Sequence, residues 1–259
     1  MLDQLGHEIK LKSTPKRIVC LVPSLTELLV DLGLSDRLVG VTKFCVHPEN
    51  LRTEKTIVGG TKSIHADRIA ALKPDFILCN KEENTQEIVV ACEQIAPVYV
   101  SDINDFDSFY SFVDDLGTLL RCKPQAEALV TAVKNRLEQF RAKMVSEPVR
   151  SVLYIIWKDP LMAAGRVTFI NVLLEACGFR NTIAEEHSRY PEVDSELLKK
   201  ADYVLLSSEP FPFSEKHIAE FETQTEAQIL CVDGEYFSWY GSRLLKAFDY
   251  FQDLVFQMK

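Results

Sequence analysis

The side chains that could do chemistry are dispersed along this sequence. His7, His47, His65, His187 and His217 form no HxH, HxxxH or HExxH spacing, the patterns that bring imidazoles onto one zinc or manganese ion. His47 with Glu82 or Glu209 could ligate an iron; otherwise it is a polar loop residue, and no metal centre is expected. No GxSxG, P-loop or GxGxxG occurs, which leaves out the nucleophile elbow and the nucleotide cradles. Thr61-Lys62-Ser63 follows Gly59-Gly60 with the composition of a phosphate loop but not its spacing. Glu82-Glu83 is an acid pair with no partner at a known distance for proton transfer, so no catalytic residue is expected. The seven cysteines include no CxxC pair, and Cys20, Cys79, Cys92, Cys177 and Cys231 lie in apolar runs, which reads as buried free thiols. What remains is recognition chemistry. Lys158, Arg166 and Arg189 could meet carboxylates of an anionic ligand, and Trp239-Tyr240 could stack on a flat macrocycle.

The composition sets the frame. A chain of 259 residues holds one large or two smaller domains. A net charge of -9 argues against nucleic acid as the main partner and suits a monomer. No apolar run approaches the roughly 20 residues that span a bilayer. The opening MLDQLGHEIKLKSTPKR has neither the basic start nor the apolar core of a secretory signal. A cytoplasmic protein is therefore expected, the alternative being an exported one whose signal was replaced by Met1.

The elements that must position these groups alternate between strand and helix. Ile18 to Val22 is an apolar run for a strand buried on both faces. Ser24 and Glu27 have the spacing of a capping box, Leu25, Leu28, Leu29 and Leu32 continue a helix, and Gly33 stops it. Residues 3–12 read as an edge strand or hairpin. Strands follow at Leu38–Val41, Thr56–Val58, Asp75–Asn80 and Val98–Val100, with helices at His65–Leu72, Gln86–Ile95 and Phe106–Leu120. That alternation is a parallel α/β pattern. A long helix, Gln125 to about Val145, follows Pro124 and would span roughly 30 Å. The α/β pattern then restarts at Ser151–Ile156 and runs through helix Phe169–Cys177, helix Asp194–Lys200, strands Tyr203–Leu206 and Ile229–Val232, and helix Ser242–Met258. The restart repeats the first half. Asp67 to Asp75 spans eight residues before Phe-Ile-Leu-Cys-Asn-Lys-Glu82, and Asp194 to Asp202 spans eight before Tyr-Val-Leu-Leu-Ser-Ser-Glu209. The chain reads as two similar lobes joined by one helix, with Glu82 and Glu209 at matching strand ends.

Three blocks carry a family resemblance. Pro15-Lys16-Arg17-Ile18-Val19 with Pro23-Ser24-Leu25-Thr26-Glu27 opens the chain, Ile69-Ala-Ala-Leu-Lys-Pro-Asp75 precedes a strand, and Glu235-Tyr236-Phe237 with Gly241-Ser242-Arg243 precedes the last helix. In this order they resemble the class III substrate-binding proteins of ABC importers, the family for vitamin B12, haem and iron-siderophores, its vitamin B12 branch most of all. The resemblance implies an α/β fold of two Rossmann-like lobes, 1–122 and 147–259, joined by a long backbone helix, 123–146, with the ligand cleft between the lobes. It implies a non-enzyme, with no intrinsic cofactor, that hands a cobalamin-, haem- or ferric-siderophore-like chelate to an ABC permease. The matching loops offer Phe44, Thr61, Asn80, Tyr190, Tyr236 and Trp239 as ligand contacts, with His47, Trp157, Arg189, Glu209 and Tyr240 beside them. Trp157, Tyr190 and Trp239 suit either a cleft or a core. The permease would dock on one acid per lobe, Asp67 in the first and Asp194 or Glu196 in the second. Asp67 stands where the family usually has glutamate, and all three acids also suit helix first turns. The cysteines and the missing signal do not fit a periplasmic receptor. They leave open a cytoplasmic corrinoid- or porphyrin-handling enzyme or chaperone, chelatase-like, on the same fold.

Overall fold

The computed structural model of the chain describes residues 1–184 and 188–258; His187 lies outside them. The chain forms two compact units. The first takes Met1–Ile103, Asp107–Ala132 and Tyr240–Arg243; the second takes Asn104–Phe106, Val133–Trp239 and the described residues from Leu244 onward.

The elements from the first half of the chain are β1 (Ile18–Cys20), α1 (Pro23–Asp31), β2 (Leu38–Val41), α2 (Leu51–Glu54), β3 (Thr56–Ile57), α3 (Ala66–Ala71), β4 (Phe76–Asn80), α4 (Gln86–Glu93), β5 (Val98–Ser101), α5 (Phe106–Leu119) and α6 (Lys123–Met144). The sheet runs β3-β2-β1-β4-β5, and every pairing is parallel. Its central strands are fully buried, as strands covered on both faces must be. One core cluster joins Val19, Ile77, Cys79 and Val100 of the strands, and Leu21 just after β1, to Ile69, Ile88 and Cys92 of the helices.

From the second half come β6 (Arg150–Trp157), β7 (Met162–Ala163), α7 (Phe169–Ala176), β8 (Phe179–Asn181), α8 (Ser195–Lys199), β9 (Tyr203–Ser207), α9 (Ile218–Glu222), β10 (Gln228–Val232), α10 (Gly234–Ser238) and α11 (Leu244–Gln257). Here β6 is central. It pairs in parallel with β9, which pairs in parallel with β10. Along its other edge β6 holds β8 in parallel near its start and β7 antiparallel near its end. The two sheets share one plan: β1 between β2 and β4, β6 between β8 and β9. They also share a clamp. The Asp75 carboxylate accepts the amides of Lys16 and Arg17 just before β1, while its own amide donates to the Arg17 carbonyl at 2.9 Å. The Asp202 carboxylate accepts the Ser151 amide and hydroxyl, while its amide donates to the Ser151 carbonyl, again at 2.9 Å. The repeat read from the sequence is thus a repeat of hydrogen bonding as well as of pattern.

Helix α6 is 22 residues long, and its residues divide between the units at Ala132/Val133. Gly117 of α5 allows close packing on its first half: a Cβ there would lie 2.8 Å from the Ala126 Cβ. Phe140 packs on Phe248 and Phe251 of α11 in its second half.

Two local expectations are corrected. Helix α1 starts two residues early, with Val22 as N-cap in place of Ser24 and Pro23 at its first position, and no side chain caps it. Proline suits that position because its ring presets φ and its missing N–H would have had no partner. Ser24 and Glu27 are consequently buried inside the helix instead of forming a capping box. The other end is as expected: Gly33, at φ +78°, lets Leu34 N bond Leu29 O and Gly33 N bond Val30 O, a complete Schellman stop. Residues 3–12 form a turn with a single antiparallel bridge, Leu2 to Glu8, not a strand or hairpin. Its side chains serve the sheet edge. The Asp3 carboxylate accepts the Val100 amide at 3.2 Å, and Gln4 Oε1 accepts the Asp102 amide at 2.9 Å.

Candidate functional site

In parallel α/β sheets the loops at the carboxyl ends of the strands are where ligands bind. In the first unit these loops follow β1, β2, β3 and β4. Phe44, after β2, is 49% exposed, and Lys43 Nζ lies 5.0 Å from its ring centroid. Gly60, after β3, lets that ring settle on the neighbouring loop, since a Cβ there would come within 3.1 Å of the ring edge. His47 shares the Phe44 loop and is half-buried. Thr61 is half-buried, and its carbonyl accepts Asn84 Nδ2 at 2.9 Å. Asn80, the last residue of β4, is only 1% exposed. Glu82 and Glu83 follow it, and Lys62 Nζ donates to the Glu82 carbonyl. Burial raises the Glu83 carboxyl above its ordinary range, against the opposing pull of Lys62 and the Thr61 hydroxyl.

In the second unit Trp157 ends β6, 40% exposed. Its Nε1 donates to the Asp159 carbonyl at 3.0 Å and its ring meets Phe211 edge-on at 5.8 Å. Lys158 pairs with Glu220 at 2.7 Å, and Arg166 Nε donates to the Ile183 carbonyl at 2.8 Å. Arg189 and Tyr190 are half-buried in the segment before α8, where the Arg189 carbonyl accepts the Gly165 amide at 2.7 Å. Glu209 is half-buried after β9, and its carboxylate accepts the Ser238 hydroxyl. Gly234 opens α10 directly against it: a Cβ there would lie 2.6 Å from Glu209 Cγ. Tyr236 stacks on Tyr250 at 4.7 Å and 21°. Trp239, and Tyr240 of the first unit, are buried, at 7% and 5% exposure. Glu82 and Glu209 do occupy matching places, each two residues beyond the last residue of its strand.

The three acids considered for docking are exposed. Asp67 is the second residue of α3, with His65 as N-cap. Glu196 holds the same second position in α8, and pairs with Lys199 at 3.1 Å. Asp194 is the α8 N-cap, its Oδ1 accepting Leu197 N at 2.9 Å.

Two buried features escaped the sequence reading. Glu27 of α1 accepts two hydrogen bonds from Arg243, Nε at 2.8 Å and the terminal nitrogen at 2.9 Å, within the first unit. No local pattern signals a partner 216 residues away. His217 is buried and caps its own turn, Nδ1 accepting the Ser214 amide at 3.0 Å. Burial pushes the Cys20 thiol up to about 12, which keeps it protonated and a poor ligand. Among the described residues no three His, Cys, Asp or Glu side chains gather to hold a metal ion, and no helix is long and apolar enough to cross a membrane. A cavity of about 960 Å³ in the second unit is lined by Arg150, Lys199, Asp202, Tyr203 and the 222–228 segment. It lies at the amino ends of β9 and β10, away from the loops described above.

A profile for periplasmic binding proteins matches residues 18–225. The uncharacterised ABC transporter substrate-binding lipoprotein YvrC of Bacillus subtilis (strain 168) is 29% identical over 206 residues, which are 76% of this chain and 65% of that protein. The chain therefore spans just under two thirds of that relative. The vitamin B12-binding protein of Pectobacterium carotovorum is 26% identical over 245 residues, 90% of this chain and 86% of that protein. Among solved structures, a periplasmic heme-binding protein from Pseudomonas aeruginosa superposes with a TM-score of 0.81, covering 94% of this chain and 93% of the other at 24% identity; at that identity the likeness is one of fold. These findings overturn the expected cytoplasmic location. The similar proteins are a lipoprotein and periplasmic proteins, which points to the cell envelope.

Proposed function

The chain belongs to the periplasmic binding protein family, and from that premise we propose that it captures a metal chelate of the cobalamin, haem or ferric-siderophore kind and hands it, as a monomer, to an ABC permease. It binds and releases without catalysing a reaction. The observation that carries the reading is the family match itself, which runs through strands of both sheets. A vitamin B12-binding relative along 90% of the chain supports the chelate class over a cytoplasmic enzyme or chaperone. In this reading residues 1–122 and 147–259 are the lobes and 123–146 the connecting helix. The ligand contacts are drawn from Phe44, His47, Thr61, Trp157, Arg189, Tyr190, Glu209 and Tyr236, with Asn80, Trp239 and Tyr240 closer to the interior. Phe44 and Trp157 are the most exposed rings in that set, and aromatic faces suit a flat macrocycle. For the permease, Asp67 and Glu196 are the matched pair, each at the second position of its helix, while the Asp194 carboxylate is engaged as a cap.

The test is a melting panel with cyanocobalamin, haemin and ferric siderophores. A ligand at about 100 times its Kd stabilises by about 2.7 kcal/mol, which for a chain of this size raises Tm by about 5–10 °C. A panel in which nothing shifts Tm refutes the proposal.

A further inference from the structure

We propose that Asn80 and Asn84 are positioning residues of the ligand site, two interlocked amides that hold the loops after β1, β3 and β4 together as one preformed rim. The proposal rests on the binding function above.

Asn80 is almost wholly interior, and each of its polar atoms is engaged. Its Oδ1 accepts the amides of Glu82 at 2.9 Å and Glu83 at 3.2 Å. Its Nδ2 donates to the carbonyl and hydroxyl of Ser101, at 3.1 and 3.0 Å. Its backbone closes a ring with Asn84: Asn80 N donates to Asn84 Oδ1 at 3.0 Å, and Asn84 N to the Asn80 carbonyl at 2.9 Å. Asn84, 4% exposed, sends its Nδ2 to the carbonyls of Thr61 at 2.9 Å and Leu21 at 3.4 Å. The two side chains thus tie the end of β5 and the loops after β1 and β3 to the β4–α4 loop. A buried polar network with every member satisfied rigidifies what it connects. Loops at strand ends are ordinarily the mobile part of a domain, and a rim fixed before the ligand arrives lowers the ordering cost of binding.

The second unit has a device in the same register. Ser207 stands thirteen residues after Asp194, as Asn80 stands thirteen after Asp67. Its Oγ accepts the Glu209 amide at 3.3 Å and donates to the Glu209 carbonyl at 2.6 Å, and the Tyr154 hydroxyl bonds it at 3.1 Å. Each strand end thus holds the amide of the glutamate two residues on, with an asparagine in one unit and a serine in the other. The buried asparagine therefore acts by positioning the rim, and the exposed groups of the loops do the contacting.

The test uses the full chain with Asn80→Ala, Asn84→Ala and Asn80→Ser, the last borrowing the second unit's solution. Two quantities are read: backbone amide exchange in segment 81–85, and the Kd for whichever of cyanocobalamin, haemin or a ferric hydroxamate siderophore binds the wild type. Asn80→Ala and Asn84→Ala are expected to speed exchange in 81–85 about tenfold, leave α11 unchanged, and weaken the probe about tenfold. Asn80→Ser is expected to stay within about threefold of wild type in affinity. Wild-type affinity in both alanine variants, with the loop loosened, overturns the positioning role alone. Faster exchange throughout the chain, with Asn80→Ser as poor as alanine, also overturns it, because the residue then serves the whole fold. A wild type that binds none of the probes overturns the binding function and the positioning role with it, whatever the exchange shows.

Discussion

Glu27→Gln should be the most damaging conservative change in the first unit. The carboxylate and the Arg243 guanidinium meet in a two-pronged pair at 2.8 and 2.9 Å, with side chains only 12% and 8% exposed. With charge centres about 4 Å apart and an effective dielectric near 20, the attraction is about 4 kcal/mol. Removing both ions from water costs several kcal/mol each, so the intact pair contributes little net stability. Its loss on one side is a different matter, because the remaining charge stays buried without its counter-ion, at a cost of about 3–5 kcal/mol. At about 2–4 °C per kcal/mol for a chain of this size, Glu27→Gln should lower Tm by about 6–20 °C. Arg243→Met should fall comparably. The double variant Glu27→Leu/Arg243→Met replaces the pair with apolar volume and should melt near wild type or above it. Circular-dichroism melts of the four proteins settle the matter. A Glu27→Gln variant within about 2 °C of wild type, or a double variant that falls by the sum of its singles, refutes this account of the pair.

Other substitutions probe the loops and the exposed acids. Glu83 is held protonated to higher pH in the folded chain than in the unfolded one. Its ionisation therefore opposes folding, and stability should rise as pH falls through the raised folded value toward the unfolded one. Glu83→Gln should melt slightly above wild type at pH 7 with a flatter pH profile, and a lower Tm at pH 7 contradicts the sign. Gly234→Ala pushes a methyl against Glu209 and should cost about 1–3 kcal/mol of stability while weakening chelate binding; unchanged calorimetric affinity shows that Glu209 is not part of the site. Asp67→Lys and Glu196→Lys should keep ligand affinity but abolish uptake through the permease. Asp194→Ala should lose only the cap, about 1 kcal/mol, and uptake assays that rank these variants otherwise reassign the docking acids.

The strands were legible because a parallel sheet buried on both faces writes them as unbroken apolar runs. Phe76–Asn80 and Tyr203–Ser207 stand out for that reason. Gly33 was legible because only a left-handed stop needs a glycine there. The start of α1 was misread because Pro23 looks like a breaker when it is a first-turn residue, and the apparent capping pair then hid the long-range role of Glu27. Short elements such as β7, β8 and α10 carry too few residues to show a period. Site residues are the least legible, since burial decides whether a ring or an amide faces ligand or interior. Trp239 and Tyr240 lie inside while Trp157 lies out, and nothing in the spelling of either stretch distinguishes them.

The short N-terminal turn does more than its lack of regular structure suggests. Strand β5 is the last of its sheet, and its outward amides would be a template for any passing extended chain. Asp3 occupies the Val100 donor and Gln4 the Asp102 amide just beyond the strand, and the Asp3 carboxylate is itself saturated by the amides of Leu5, His7 and Val100. A charged side chain on an open edge is an obstacle to self-association, because a second strand must displace a carboxylate before it can pair. The sheet therefore ends at β5 by chemical blockade, and a further strand could pair there only by first displacing the turn.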